Sequence, residues 1–534
     1  MNSLLILFAV IILTCVFLNN ASYRIGMPVL LGFILLGIIF GNNGLIPIPQ
    51  MIEDKSSIGQ ISTFALIFIM FYGGFGTSWQ TARPVAIPAA ILSSAGVIVT
   101  AGVVTLMCHF LLGWGWLEAL LLGSIVSSTD AASVFSILRS RHLGLKNNIG
   151  PLLEIESGSN DPCSYMMTII AISLIKGNAG VGSTFLIFLS QMGFGLVFGV
   201  CIAAFAVFAI RRISFATSGF DSLFIMSIAI ISYALPSVVG GNGYLSAYIV
   251  GIVLGNQTFE GKRKMVNFFD GITSLMQVLL FFLLGMLATP SALGSSIVPA
   301  LIISLILLFL ARPLAVALSL TPFRFNFVSQ LLVSFCGLRG ASSIVFAILA
   351  TTAGLTLEHD VFSVVFCIVM LSIAFQGTLL PIVSKLLNML DRNVDINKTF
   401  SDFSADCDLQ FSHIEVGAGT HWDGKAIKDI GLPSDMLFCM IFHKDGKEEV
   451  PTGSTVLQAG DTVIVCSKEY RGSHRLKILQ HTMSNHSRYD GVAVKDLPYN
   501  ASGQLLLIRR GDQSLIPNGN TILRSGDVLF VNQR

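Results

Sequence analysis

The sequence predicts an all-α polytopic membrane domain of about thirteen helices, followed by a small α/β tail. Three observations carry this prediction. Of 534 residues, 53% are hydrophobic and only 12% charged, about half of the roughly 25% typical of soluble domains. The deficit lies before residue 391, and from there to Arg534 the polarity is ordinary. Within that polar stretch, two segments repeat each other. The boundaries read as a membrane domain at 1–390, a first tail repeat at 400–470 and a second at 480–534.

A spanning helix needs about 20 mostly apolar residues. Thirteen stretches approach that length: 3–19, 26–42, 58–76, 85–112, 116–138, 150–175, 184–210, 219–237, 242–257, 270–289, 296–319, 328–353 and 361–388. The first begins Met1-Asn-Ser-Leu-Leu-Ile, without a basic leader region or a small-residue cleavage site. It reads as a membrane helix rather than a removable signal. The longest of these are long enough to tilt or break. The fifth, sixth and twelfth carry polar or charged groups inside the apolar run. Glycine, with 50 residues, allows close helix packing and local breaks.

The loops fix an expected orientation. Those after odd-numbered stretches hold Arg24, Arg83, Arg139, Arg141, Lys146, Arg211, Arg212, Lys262, Arg263, Lys264 and Arg324, with Lys385 and Arg392 at the end of the last; those after even-numbered stretches hold Lys55 and Lys176. By the positive-inside rule the N-terminus is outside and the tail cytoplasmic. The chain is expected in the cell (inner or plasma) membrane. A net charge of +2 gives no sign of a nucleic-acid partner. Six of the nine cysteines fall in apolar stretches, with no Cys-x-x-Cys pair, so neither a disulfide frame nor structural zinc is expected.

The candidate chemistry sits in three places. The fifth stretch contains Ser127-Ser128-Thr129-Asp130-Ala-Ala-Ser133. Thr and Asp compete for their own backbone and weaken a helix. An unwound turn would free carbonyls and hydroxyls for a cation; the structural alternative is a satisfied polar turn. The sixth contains Glu154, Glu156, Ser157, Asn160, Asp161 and Pro162. Positions 154, 157 and 161 share one helical face. A carboxylate in a bilayer costs at least a few kcal/mol (~2.5–3.5 on insertion scales) and usually marks an ion or proton pathway. Asp161 lies deeper than the glutamates, where it can hold a proton or a metal ion, but not both at once. Pro162 removes a backbone donor and loosens the helix. The twelfth contains Cys336-Gly-Leu-Arg339-Gly-Ala-Ser-Ser343. Arg stays charged, so Arg339 calls for Glu156 or Glu154; Glu156 is favoured, which leaves Asp161 to titrate. Arg312 is read as snorkelling to an interface, His109 as a packed or interfacial residue, and Asp221 and Asp270 as charges near helix starts.

These residues resemble the monovalent cation:proton antiporters of the NhaP and cell-volume-regulation (CvrA-like) type. The resemblance covers roughly 1–390 and rests on Ser127-Ser-Thr-Asp-Ala-Ala-Ser-Val-Phe135, Glu156-Ser-Gly-Ser-Asn-Asp-Pro162, Gly241-Asn-Gly-Tyr-Leu-Ser-Ala-Tyr-Ile-Val-Gly-Ile-Val-Leu-Gly-Asn256 and Gly337-Leu-Arg-Gly340. It implies a homodimer, inverted repeats with crossed, broken helices, and elevator-like alternating access. It implies cation and proton binding by Asp161, Asn160, Ser157, Thr129 and Asp130, a Glu156–Arg339 ion pair, and electroneutral exchange of H+ for K+ (favoured) or Na+. Glu154 and Tyr72 are secondary candidates. Two positions depart from the pattern: Tyr72 stands where relatives often carry an acid, and Gln330 where they often carry Glu.

In the tail, Asp423-Gly-Lys-Ala-Ile-Lys-Asp-Ile430 recurs as Asp490-Gly-Val-Ala-Val-Lys-Asp-Leu497, and the stretch 451–465 recurs as 517–531, at offsets of 67 and 66. Each later copy runs through Gly-Asp into a β-branched strand, and 438–442 and 505–509 read as earlier partner strands. The two copies resemble C-terminal regulator-of-potassium-conductance domains (RCK_C, the TrkA-C type), βαβ-rich modules that dimerise and bind small ligands. A small anionic ligand near Lys425 or Arg509 is one expectation, and a dimer clamp is the other. The chain has no Gly-x-Gly-x-x-Gly after a strand, so no nucleotide cofactor is expected. A gated channel is disfavoured because there is no Thr-Val-Gly-Tyr-Gly filter. An intramembrane hydrolase is disfavoured because Gly340-Ala-Ser-Ser343 has no evident His partner, and no enzyme activity is expected.

Overall fold

The computed structural model describes residues 9, 12–18, 29–41, 55–140, 143–177, 180–212, 219–257, 259, 262–391, 409–417, 419–432, 436–444, 448–468, 477–483, 489–496, 504–510, 513–515, 517 and 519–533. The chain divides into two compact units, Met1–Ala405 and Asp406–Arg534.

The first unit is helical, and helix falls on each of the thirteen predicted stretches. The first shows it at residues 12–18. Then come α1 (Val29–Phe40) and α2 (Lys55–Gly76); short turns at Trp79–Ala82 and Arg83–Val85 lead into α3 (Ala86–Leu112). The fifth stretch is two half-helices, α4 (Trp116–Val126) and α5 (Ala131–Ser140). There follow α6 (Ile149–Ile175), α7 (Val181–Arg212), α8 (Phe220–Val238), α9 (Gly243–Gly255) and α10 (Lys262–Leu287). The eleventh is α11 (Pro290–Ile306) and α12 (Arg312–Leu320), joined through a π turn, Leu307–Ala311. The twelfth is again broken, into α13 (Phe327–Phe335) and α14 (Ala341–Thr352). The last is α15 (Val361–Leu371), a π turn at Ser372–Gly377 and α16 (Thr378–Leu386). Among the described residues, seven helices are long and apolar enough to cross a membrane by length and composition. This is a multi-pass membrane domain.

Local chemistry sets the helix starts. Asn242, Asn326 and Asp360 each accept a backbone N–H three residues on, from Leu245 (3.0 Å), Ser329 (2.7 Å) and Ser363 (3.1 Å). Glycine sets the packing distance. A Cβ on Gly251 or Gly255 of α9 would fall 2.2 or 2.1 Å from the carbonyl of Phe71 or Phe75 on α2, so the two backbones touch. Gly37 of α1 and Gly285 of α10 do the same to each other's helices. A two-residue ribbon, β1 (Gly144–Leu145) with β2 (Leu390–Asp391), ties the loop after α5 to the end of the helical region.

The second unit is built from its repeat. β3 (Leu409–Glu415), β4 (Met436–Phe442), β5 (Glu448–Glu449) and β6 (Thr462–Lys468) form one antiparallel sheet in the order β3-β6-β4-β5. β7 (Lys477–Thr482), β8 (Gln504–Arg510), β9 (Gln513–Leu515) and β10 (Val528–Gln533) form the second in the equivalent order β7-β10-β8-β9. The expected α/β character resolves into these antiparallel strands with one 3₁₀ turn per copy, Ile427–Asp429 and Val494–Asp496. The described residues contain no βαβ crossover. The predicted strands at 438–442 and 505–509 lie inside β4 and β8, each paired with the strand after its Gly-Asp turn.

Candidate functional site

Two interrupted helices meet where the sequence places its small and polar residues. Ser127–Asp130 separates α4 from α5, and Cys336–Gly340 separates α13 from α14. The backbone N–H of Asp130 donates to the Leu338 carbonyl (2.8 Å), so the two breaks pair with each other. Each break exposes helix ends, and three of these four ends are matched by opposite charge. The Asp130 carboxylate accepts from Ser133 N (3.2 Å) and Ser133 Oγ (2.5 Å), capping α5. It also lies against the start of α14, where a Cβ on Gly340 would fall 2.0 Å from Asp130 Oδ2. At the other end, Arg339 Nη1 donates to the carbonyls of Ser127 (3.1 Å) and Ser128 (2.8 Å), the C-terminal end of α4.

These bonds correct one expectation. Arg339 does not pair with Glu156. The partner of Glu156 is Arg312, whose Nη1 and Nη2 donate to Oε1 (2.9 Å) and Oε2 (2.8 Å). Arg312 is only 3% exposed and does not snorkel. It opens α12 directly after the π turn. Gly337 makes room for it: a Cβ there would lie 2.6 Å from Arg312 Nε. Arg339 needs no carboxylate because helix-end carbonyls already oppose its charge.

α6 crosses this region with two working faces. It is continuous over Ile149–Ile175 with Pro162 inside, so the loosening expected at Pro162 does not interrupt it. Asn242 Nδ2 donates to the Pro162 carbonyl (2.8 Å) and ties α6 to the start of α9. One face of α6 carries Glu156 and Asn160, an i, i+4 pair. Asn160 Nδ2 donates to Thr129 Oγ1 and to Glu156 Oε1 (3.2 Å), and Thr129 Oγ1 donates to Glu156 Oε1 (3.1 Å). The other face carries Glu154, Ser157, Gly158 and Asp161, which line a cavity of about 310 Å³. The i, i+3, i+7 spacing foresaw this face.

The predicted ligands therefore separate. Asp161, Ser157 and Asp130 line the cavity, as do Glu154 and Tyr72; Thr129 and Asn160 lie behind it, held by Glu156. Ser157 Oγ donates to the Thr129 carbonyl (2.9 Å) and accepts from Ala131 N (2.9 Å), so it fastens the unwound turn. Asn160 Oδ1 is buried and has no hydrogen-bond partner among the described residues.

Asp161 is 3% exposed. Its Oδ1 accepts from Ser128 Oγ, which in turn contacts Ser342 Oγ at 2.9 Å. One hydroxyl comes from the first break and the other from the first turn of α14, just past the second, so the carboxylate sits at the crossing itself. Sequence reasoning missed Ser128 and Ser342 as its partners. Both were visible beside the Thr-Asp and Arg-Gly motifs, but only the crossing brings them together.

The bland readings hold elsewhere in the first unit, except for Asp270. His109 Nδ1 contacts the Trp114 carbonyl (2.7 Å) and its ring stacks on Trp116. Asp221 caps its own turn through Gly219 N and Ser222 N. Gln330 donates to the Phe325 carbonyl (2.8 Å) and accepts from Thr321. Glu118, Glu358 and His359 come within ligating distance of one another, but the Glu118 carboxylate, in the first turn of α4, is engaged by His359 N (2.9 Å) and Nδ1 (3.0 Å) of the loop before α15. Asp270 is not at a helix start: it lies two turns inside α10, lines the cavity and accepts from Tyr72 Oη (3.4 Å).

The tail repeats its polar chemistry too. Asp461 and Asp527 follow the equivalent glycines and are 2% and 0% exposed. Arg510 holds Asp527 with two bonds of 2.7 Å. The equivalent cation in the first copy is His443, whose Nδ1 meets Asp461 (3.1 Å) and whose Nε2 meets Glu449 (3.3 Å). The hydrogen bond to Asp461 raises the His443 pKa, and Glu449 adds to the rise. The Arg510 hydrogen bonds lower that of Asp527. Of the two basic residues considered for an anion, Lys425 lies against the His421 ring and Arg509 over the Phe530 ring.

With this geometry in place, comparison with known proteins is direct. Residues 7–386 match the model for "Sodium/hydrogen exchanger, transmembrane", and 412–469 and 478–531 each match the TrkA-C domain. The chain is 37% identical over 389 residues to the K(+)/H(+) antiporter NhaP of Alkalimonas amylolytica, covering 73% of this chain and 67% of that one. It is 31% identical over 474 residues to the K(+)/H(+) antiporter NhaP2 of Shewanella baltica, covering 88% and 81%. The fold is similar to that of the sodium proton antiporter MjNhaP1 of Methanocaldococcus jannaschii at pH 8, with a TM-score of 0.61 and 21% identity over 70% of this chain and 99% of that one.

Proposed function

This chain belongs to the sodium/hydrogen exchanger family, and we propose that it is a secondary antiporter exchanging a monovalent cation for H+, with K+ favoured over Na+. One observation carries the reading: a buried carboxylate, Asp161, at the crossing of two broken helices and on the wall of a polar cavity. Desolvation makes its bare anion costly, so the group is stable holding either a proton or a cation. One carboxylate then exchanges one H+ for one monovalent ion, and the cycle is electroneutral. The preference for K+ is supported by the names of the two bacterial relatives.

In this reading Asp161 is the shared site, assisted by Ser128, Ser342 and the carbonyls freed at the break. Asn160, Thr129 and Ser157 hold the unwound turn, and Asp130 and Arg339 match the helix ends. Glu156 and Arg312 form a fixed internal pair. The cycle runs by elevator-like alternating access in a homodimer of the cell membrane, with the N-terminus outside and the tail in the cytoplasm. The tail adjusts transport rather than performing it, either by clamping the dimer or by binding a small anionic ligand. No enzymatic step is involved.

Purified protein in liposomes with an imposed pH gradient tests this. Added K+ or Na+ should collapse the gradient in the wild type, with a rate almost unchanged when valinomycin fixes the membrane potential. Asp161→Asn should abolish the exchange while the protein remains folded. Full exchange in that variant, or cation current at fixed pH, would overturn the assignment.

A further inference from the structure

The cavity below Asp161 has a second polar wall that the exchange reading does not use. α10 contributes Asp270, Thr273, Ser274, Gln277 and Phe281 to it, at spacings of three and four that place them on one helical face. Four carboxylates line the cavity (Asp130, Glu154, Asp161 and Asp270), and its described lining contains no Lys, Arg or His. Asp270 is exposed, whereas Asp161 is 3% exposed. Asp270 thus stands at the wet part of the space that leads to the buried site, on the helix that starts at the basic residue Lys262.

Thr273 makes this wall more than an acidic patch. It is 7% exposed, and its Oγ1 has no hydrogen-bond partner among the described residues. Other buried threonine hydroxyls inside these helices bond back to the carbonyl four residues earlier: Thr100 to Gly96 (2.8 Å), Thr105 to Ala101 (2.7 Å) and Thr168 to Ser164 (2.8 Å). Thr273 forgoes that bond while lining the cavity one turn from Asp270. Leaving a buried hydroxyl unsatisfied is costly, and a bound cation would recover that cost. The Tyr72 hydroxyl, bonded to Asp270 at 3.4 Å, supplies a third oxygen.

We propose that Asp270, Thr273 and Tyr72 form a second site for a partly dehydrated alkali cation, a loading site that the ion occupies before it reaches Asp161. One carboxylate with neutral hydroxyl oxygens matches a monovalent hard cation. The site raises the local cation concentration at the cavity, so it sets apparent affinity and leaves the exchange step alone. This rests on the exchange reading above, deepens it, and is separable from it by experiment.

Equilibrium binding of radioactive Rb+ to the purified full-length protein, together with liposome exchange, decides it. The wild type should bind two Rb+ per chain, Asp161→Asn one, and the double variant with Asp270→Asn none. In exchange, Asp270→Asn and Thr273→Val should each raise the apparent KM for K+ at least fivefold, with the maximal rate within twofold of wild type; Asp270→Glu should restore the KM. A single Rb+ per wild-type chain, or an unchanged KM in both Asp270→Asn and Thr273→Val, would overturn the loading site while leaving Asp161 as the exchange site. A wild type that binds two Rb+ but exchanges nothing would support this site and defeat the exchange reading.

Discussion

Glu156 and Arg312, 156 positions apart in the chain, meet in a two-pronged pair with bonds of 2.9 and 2.8 Å and almost no solvent access. The pair joins α6 to α12 behind the cavity lined by Asp161. Glu156 also accepts from Thr129 and Asn160, so one carboxylate anchors both the outer pair and the unwound turn.

Removing one member of this pair strands a buried charge, which costs about 3–5 kcal/mol. Arg312→Ala is expected to lose that much stability, and Glu156→Gln/Arg312→Gln less than the sum of its single changes. Thermal melts of detergent-purified protein in a double-mutant cycle measure it. Additive losses would mean that the two side chains do not depend on each other.

Arg339 faces carbonyls, so its loss should act differently. Arg339→Ala removes two charge-assisted bonds to Ser127 and Ser128, each worth about 1.5–3 kcal/mol. Its coupling to Glu156→Gln in the same melts should be smaller than that of Arg312. Coupling as large as that of Arg312 would restore the pairing expected from sequence.

Gly340 leaves no room for a methyl group, because a Cβ would fall 2.0 Å from Asp130 Oδ2, whereas Gly102 has nothing within 4 Å. Gly340→Ala should lower both folded yield and exchange at least tenfold, and Gly102→Ala should change neither. An active Gly340→Ala protein would show that the crossing can open without loss.

The tail offers an internal comparison in pH dependence. The folded His443 pKa is raised by Asp461 and then Glu449, so its stabilisation is complete below the ordinary imidazole value of about 6.5 and fades as pH rises through the raised value. The Asp527 pKa is lowered by Arg510, so its contribution is present above the ordinary Asp value of about 3.9 and is lost only in stronger acid. From pH 6 to 8, β6 should therefore lose backbone protection while β10 keeps it. Hydrogen exchange on the full-length protein, corrected for the intrinsic rate, should show at least a twofold difference for β6, and His443→Gln should remove it.

Deleting residues 400–534 should change the dependence of exchange on cytoplasmic pH or ionic conditions and leave exchange itself measurable. A folded truncation that transports nothing would make the tail part of the transport machinery.

Much of this protein was legible in one dimension. Apolar length placed the thirteen helical stretches, because a spanning helix satisfies its backbone within itself. The repeat placed β4, β6, β8 and β10 of the tail, since Gly-Asp turns and β-branched runs are local signals. The spacing of Glu154, Ser157 and Asp161 gave the cavity face of α6, because helical periodicity is local too. Tertiary structure alone decided who meets whom. Glu156 could reach Arg339 or Arg312 by charge, and only the π turn before α12 and the missing side chain at Gly337 settled it. Likewise, Ser128 and Ser342 share one carboxylate, and Asp270 turns toward Tyr72, because distant helices cross there, and no sequence interval records a crossing.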